Sequence, residues 1–409
     1  MSFQQGLSGL NVSAKALDVT GNNIANSSTV GFKTSAAHFA DVYASSLGSG
    51  GTGQVGIGVT LAAIQQQFAQ GNITSTSNPL DISINGGGFF RMDQNGSISY
   101  TRNGQFSLDK DGYIVNDQAL KLTGFPVDVN GTVVTASPIP LQVSSAQIAP
   151  RATSDPLAGN IEAVINLDSR QSNPAVAPFN FANPQTYNYS TSLSVYDTLG
   201  VSHTLTTYYV RTGAGAWTAH ATLDGANPQV IGNLTFNTSG GLTSGPTYAL
   251  PSFALTTGAT TPWSPGSIDF TGTTQYGSES GVQQLAQGGY TSGRLVGISV
   301  SDDGTLQGRY SNGQTRNQGQ VVLTGFTNPN GLAPQGNNQW IETFESGPPL
   351  VGAPNTASLG VLQSSSIEES NVDLTAELVN MITQQRNYQA NAQTIKTQDQ
   401  ILNTLVNLR

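Results

Sequence analysis

Cysteine is absent from this 409-residue chain, and histidine, methionine and tryptophan occur three times each. Without thiols there is no disulfide, iron–sulfur cluster or cysteine-ligated zinc. His38, His203 and His220 lie far apart in sequence, which argues against a histidine-rich metal site, and no cofactor is expected. Charge is equally scarce, at 10% of residues, against roughly 25% in an average soluble protein. The balance is acidic, with 15 Lys and Arg against 24 Asp and Glu and a net charge of −9. A broad basic face for nucleic acid is therefore not expected. No window reaches the ~18 consecutive apolar residues of a membrane helix, so no membrane insertion is expected. The opening Met1-Ser-Phe-Gln-Gln-Gly-Leu7 has neither the basic region nor the apolar core of a cleavable secretory signal.

What remains is rich in Gly, Ser, Thr, Asn and Gln, with 47 glycines. Such a composition suits either a disordered chain or a β-rich protein with much surface. A hydrophobic content of 37%, with 13 Tyr and 15 Phe, is too high for disorder throughout. The expectation is a β-rich protein that is secreted or assembles with copies of itself.

The two ends are alike and differ from the middle. Phe3, Leu7, Leu10, Ala14, Leu17, Gly21 and Ile24 follow one another in alternating steps of four and three, a heptad seam. Ser2 with Gln5 reads as a capping box. Leu374, Leu378, Met381, Gln385, Tyr388, Ala392, Ile395, Asp399, Leu402 and Val406 keep the same alternation, with Ser370 as the expected N-cap and Asp373 placing a carboxylate near the free N–H groups of the first turn. Residues 371–409 as one helix would reach roughly 58 Å. Periodicity alone also fits two core helices of one bundle. Against that, Gly6, Gly9 and Gly21 each cost the first helix about 1 kcal/mol relative to Ala. Gln385 and Asp399 also place polar groups in the second seam, which suits a specific interface better than a dry core.

Between the ends the texture is β. Residues 80–125 carry the turn pairs Asn85-Gly86, Asn95-Gly96, Asn103-Gly104 and Asp111-Gly112, and 294–345 repeat the pattern with Asp303-Gly304, Asn312-Gly313 and Asn330-Gly331. In 151–288 the clearest hairpin pairs Ser192–Tyr196 with Val201–Val210. The expected architecture is therefore multidomain and mainly β, with two β-rich outer domains inserted in nested order between terminal α-helices that pair as a coiled-coil inner domain. Chemistry-bearing motifs are weak. Gly51-Thr-Gly-Gln-Val-Gly56 matches G-x-G-x-x-G but lacks the strand before and helix after. Asp109-Lys-Asp-Gly112 and Asp302-Asp-Gly304 lack the further ligands and closing Glu of a calcium loop and read as turns. Gly86-Gly-Gly88 reads as a tight loop beside a strand. His203 reads as a surface or packed strand residue. No catalytic or metal site is expected.

Gly9-Leu-Asn-Val-Ser-Ala-Lys-Ala-Leu-Asp-Val-Thr-Gly-Asn-Asn-Ile-Ala-Asn26 with Gly31-Phe-Lys33 resembles the N-terminal motif of the bacterial flagellar rod and hook axial protein family. Asn371-Val-Asp-Leu-Thr-Ala-Glu-Leu-Val-Asn-Met-Ile382, Gln385-Arg-Asn-Tyr-Gln-Ala-Asn391 and Thr397-Gln-Asp-Gln-Ile-Leu402 resemble its C-terminal motif. Asn78-Pro-Leu-Asp-Ile-Ser-Ile84, Phe89-Phe-Arg91 and Tyr100-Thr-Arg-Asn-Gly-Gln-Phe106 are similar to both rod and hook members. Val195-Tyr-Asp-Thr-Leu-Gly200, His203-Thr-Leu205, Asn337-Asn-Gln-Trp340 and Ser346-Gly-Pro-Pro-Leu350 resemble the hook branch. The resemblance implies terminal helices 1–26 and 371–409 in an inner tube, connecting segments 27–71 and 357–370, a middle β-domain of 72–150 with 289–356, and an outer β-domain 151–288.

It also implies a helical homopolymer in the flagellum, exported by the flagellar type III apparatus and lying outside the cell. The further partners it implies are the distal rod protein, the hook–filament junction protein, the hook cap and the hook-length control protein. Phe3, Leu7, Leu10, Leu17, Ile24, Leu374, Leu378, Met381, Tyr388, Ile395, Leu402 and Val406 are then the expected self-assembly residues. Phe39-Ala-Asp-Val-Tyr43 resembles the family's export-gate motif; Phe39 and Tyr43 would otherwise form one face of a short helix packed on the inner tube. A distal rod subunit and a secreted β-rich adhesin or binding module are the alternatives, and an enzyme is disfavoured for want of ionisable clusters.

Overall fold

The structure is a computed structural model that describes residues 2–42, 56–128 and 131–407. It is mainly β, with one helix near each end: α1 over Ser2–Ala25 and α2 over Leu374–Asn407. No described helix is long and apolar enough to cross a membrane.

The start of α2 departs from the sequence reading. Asp373, not Ser370, caps it: Oδ1 accepts from the backbone N–H groups of Thr375 at 2.9 Å and Ala376 at 3.1 Å. Residues 371–373 stay out of the helix because Asn371 is engaged elsewhere. Its Oδ1 accepts from Thr34 N at 2.8 Å, and its Nδ2 donates to the carbonyls of Gln67 and Ala69 at 2.9 and 3.1 Å. At α1 the Gln5 amide does not fold back on the helix start; Nε2 donates to Gly56 O at 2.7 Å.

After α1, the strand β1 (Ser35–Val42) pairs antiparallel with β2 (Gly58–Gln66), with a register shift between His38 and Phe39. The helical alternative for the Phe39 segment is thus corrected. Val59, Leu61 and Ile64 give a β-prone partner, and the pairing satisfies backbone groups that a short helix would leave unpaired at its ends.

The chain divides into two compact units. The first comprises 1–144, 297–309 and 315–409. Within it the strands Lys121–Phe125, Phe89–Gln94, Ser97–Thr101 and Gln339–Ile341 lie side by side in that order. Two-stranded ladders join Ile73–Ser75 to Ser366–Glu368 and Ile82–Asn85 to Val361–Ser364. Phe89, Tyr100, Phe326, Leu332 and Trp340 form an aromatic-rich core, against which Phe68 packs edge-on. Asn95-Gly96 makes the expected tight turn, with φ of 53° and 93°. Asn103-Gly104 does not: a Cβ on Gly104 would collide with Ile82 O, so this glycine serves a close backbone approach.

The second unit comprises 145–296 and 310–314. Two four-stranded sheets enclose a core that includes Ile165, Leu205, Tyr209, Trp217, Leu234 and Phe270. The expected hairpin is present, with Ser192 opposite Thr206 and Tyr196 opposite Ser202.

Candidate assembly surface

The first unit brings the two ends of the chain together. A Cβ on Gly6 would lie 3.1 Å from Ile395 Cγ1, and one on Gly9 would lie 2.8 Å from Asn391 Nδ2. Farther along, Asn23 Nδ2 donates to Glu377 Oε1 at 3.3 Å. Steps forward in α1 match steps back in α2, so the helices run antiparallel. The buried face of α1 consists of Gly6, Ser13, Ala16, Thr20 and Asn23. Small side chains let the two backbones approach closely, which explains Gly6 and Gly9 despite their cost to the helix. Asn23 also clamps β1, exchanging two hydrogen bonds of 2.9 and 3.0 Å with the Ser35 backbone.

Much of the apolar seam is left exposed. Phe3 and Leu7 are 46% and 44% exposed, and Leu10, Leu17 and Ile24 are half-buried. On α2, Leu374, Leu378, Tyr388 and Leu402 are exposed, whereas Met381 and Ile395 are half-buried. Of the twelve expected assembly residues, Ile395 stands directly against α1 at Gly6; the side chain of Val406 lies outside the described residues. Phe39 is exposed in β1 and borders a cleft of about 220 Å³ with Ala16, Val19, Thr20 and Glu377. Tyr43 lies outside the described residues, as do residues 51–55 of the G-x-G-x-x-G match.

Sequence reasoning missed a buried ionic cluster. Glu368 Oε1 accepts from Lys33 Nζ at 2.6 Å, and Oε2 from Arg102 Nη1 at 3.2 Å; the Lys33 and Glu368 side chains are wholly buried. Lys33 also donates to Ala69 O at 2.8 Å and Arg102 to Gly86 O at 2.8 Å. Burial lowers the pKa of Lys33 and of Arg102, with Glu368 opposing the shift in both. Lys33 and Arg102 stand in motifs that carry the family resemblance, but nothing in spacing joins them to a carboxylate some 270–340 residues away. The signal was scarcity: in a chain this poor in charge, a lysine directly after Gly31-Phe32 invites the question of what it pairs with.

In the second unit His203 is buried between two carboxylates, with Nδ1 2.7 Å from Asp224 Oδ2 and Nε2 3.4 Å from Asp197 Oδ2. Burial acts to raise the Asp197 carboxyl, but hydrogen bonds from Thr257, Val201, His203 and Leu199 outweigh it and hold the group below its usual range. Asp197 thereby fastens the hairpin turn. Asp109 does the same for its turn, accepting from Asp111 N and Tyr113 N, and Asp303 accepts from Thr305 N. Among the described residues no group of three or more His, Asp or Glu is arranged to hold a metal ion.

Terminal helices that meet through small residues and leave apolar side chains such as Leu7, Leu378 and Leu402 exposed describe a subunit with surface left to pack on others. Comparison with known proteins decides which kind. Residues 3–33 match the model of the flagella basal body rod protein, and 83–158 match the flagellar hook protein FlgE/F/G D1 domain. Residues 166–290 match the D2 domain of flagellar basal body protein FlaE, and 363–408 the C-terminal model of the flagellar basal body rod FlgEFG proteins. The flagellar hook protein FlgE of Escherichia coli (strain K12) is 43% identical over 421 residues, covering 100% of both chains. That of Borreliella burgdorferi is 31% identical, covering 100% of this chain and 99% of the relative. The chain belongs to the flagellar hook protein FlgE family. It is a structural subunit of the hook, a part of the bacterial flagellum outside the cell. The crystal structure of Helicobacter pylori flagellar hook protein FlgE2 superposes with a TM-score of 0.53 at 12% identity, covering 72% of this chain and 100% of that one. At that identity the likeness shows a shared fold.

Proposed function

We propose that this chain polymerises helically through its terminal helices into a short curved tube, the universal joint that carries torque from rod to filament. The helices pair as a coiled coil in which Ile395 packs on α1 of the same chain, while the rest of the seam (Phe3, Leu7, Leu10, Leu17, Ile24 and Leu374, Leu378, Met381, Tyr388, Leu402, Val406) packs on neighbouring copies. The β-domains are nested between them, with 72–150 and 289–356 in the middle and 151–288 outermost. The observation that carries this reading is that α1 meets α2 through small residues while Leu7, Leu374, Leu378 and Leu402 stay in solvent. Burying one such leucine stabilises an assembly by roughly 1.5–3 kcal/mol. Polar, charge-poor outer surfaces slide by exchanging hydrogen bonds with water, whereas close-packed apolar contacts do not deform continuously. Torsional stiffness therefore belongs to the inner helices and compliance to the outer domains.

The partners follow from that place: distal rod protein at one end, hook–filament junction protein at the other, and the hook cap, hook-length control protein and flagellar type III export apparatus during growth. Phe39 would be read by the export gate in the unfolded chain and would pack in β1 in the folded one. Secretion of a Phe39→Ala chain at the wild-type rate removes that role. The assembly reading is tested by negative-stain microscopy of the full-length chain, of Leu378→Asp, and of a chain lacking 1–30 and 371–409, all under polymerising salt. Curved tubes are expected from the full-length chain alone. Tubes from the truncated chain, or normal tubes from Leu378→Asp, overturn the inner-helix assignment.

A further inference from the structure

Phe344 is 102% exposed, fully clear of the rest of its chain. A lone exposed aromatic is ordinary on a protein surface; this one is held out by a fixed turn. Thr343 N donates to Ser346 Oγ at 3.0 Å, Ser346 Oγ donates back to Thr343 O at 2.8 Å, and Glu345 N donates to Thr343 Oγ1 at 3.1 Å. Asn328 Nδ2 donates to Glu345 O at 3.1 Å, and Gly331 admits the turn at a spacing where a Cβ would collide with the Glu345 backbone. The turn fixes the backbone that carries Phe344, so binding has only the side-chain rotamer left to order.

The same unit carries a cleft of about 370 Å³ lined by uncharged residues, with Tyr113, Val127, Ile139, Pro140 and Leu141 as its apolar part and Gln142 and Gln318 as its polar part; Ile139 is 47% exposed. Lys121 Nζ stands at its edge, 3.7 Å from the Tyr113 ring centroid. The acidic Glu345 is exposed beside Phe344. Knob and cleft sit at different strands of one sheet: the cleft beside Lys121–Phe125, the knob just after Gln339–Ile341, three strand spacings or about 14 Å across. One chain therefore presents an aromatic knob with a negative neighbour at one place and an uncharged cleft of mixed polarity, with a positive neighbour, at another. Two different patches that complement each other make a head-to-tail contact, which propagates instead of closing as a dimer.

We propose that Phe344 of one copy inserts into the Tyr113–Ile139–Pro140 cleft of the next, with Glu345 facing Lys121. This is a β-domain contact additional to the helix seam, and it rests on the polymerising reading above. The test exploits the lack of cysteine: Phe344→Cys with Ile139→Cys supplies the only thiols. Oxidised polymers of the double variant are expected to give a ladder of covalent dimers, trimers and longer chains on a denaturing gel, which neither single variant gives. Phe344→Ala, at a site where the monomer makes no contact, is expected to raise the critical concentration about tenfold or more, and Phe344→Leu to recover most of it. Glu345→Lys should weaken assembly, and Lys121→Glu in the same chain should restore it. Tubes without a ladder, an intrachain link, or Phe344→Ala polymerising at the wild-type concentration overturns this contact alone. Failure of the unmodified chain to polymerise overturns the parent reading and this contact with it.

Discussion

At the scale of single residues, the buried cluster of Lys33, Arg102 and Glu368 has the greatest consequence. It ties the segment after α1, the β-sheet unit and the segment before α2 at one point, with two cations around one carboxylate. Removing the carboxylate leaves both cations buried and uncompensated, so Glu368→Gln is expected to cost about 3–5 kcal/mol, read as a fall in the urea midpoint. Lys33→Met leaves a balanced Arg102–Glu368 pair and should cost less; the reverse order would contradict this account. The pH dependence has a definite sign. Burial lowers the Lys33 pKa, so between its folded value and its ordinary one the unfolded chain binds more protons, and stability from this site rises with pH there. For Asp197, whose pKa is lowered in the fold, the contribution is present above the ordinary carboxylate range and is lost as pH falls through the folded value.

At the scale of elements, the glycines of α1 separate by face. Gly6 and Gly9 touch α2, but a Cβ on Gly21 would meet nothing within 4 Å. Gly21→Ala is therefore expected to stabilise the monomer by about 1 kcal/mol through helix propensity. Gly9→Leu should overpack the junction and cost about 1–3 kcal/mol. Thermal melts followed by circular dichroism distinguish the two; equal effects would mean the helices do not meet at Gly9 in solution. The heptad seam was legible in the sequence, yet the face that joins α1 to α2 was not. Gly6, Ser13, Ala16, Thr20 and Asn23 carry almost no hydrophobic signal, so apolar periodicity pointed to the neighbouring stripe. The cap was misplaced by three residues for a related reason: Ser370 is as good a cap as Asp373, and only the tertiary bonds of Asn371 decide between them.

At the scale of the whole molecule, a net charge of −9 on a chain that must stack on itself makes assembly sensitive to ionic strength. Like-charged subunits repel over about 30 Å at 0.01 M salt and about 8 Å at 0.15 M. The critical concentration for tubes should therefore fall as salt rises across that range, measured by sedimentation of polymer. A critical concentration that is flat or rises with salt would mean that cross-subunit ion pairs outweigh the net repulsion.

The sequence by itself determined the helix–β–helix order, the turn at Asn95-Gly96, the hairpin at 192–210 and the family, because each is written in contiguous residues whose local periodicity, turn chemistry or motif survives without a partner. It did not determine the pairing of Lys33 with Glu368, the small-residue face of α1, the strand at Phe39 or the projection of Phe344. Those depend on what lies opposite a residue once distant segments meet. Burial, close approach and exposure are properties of two surfaces, and a one-dimensional pattern records only one of them.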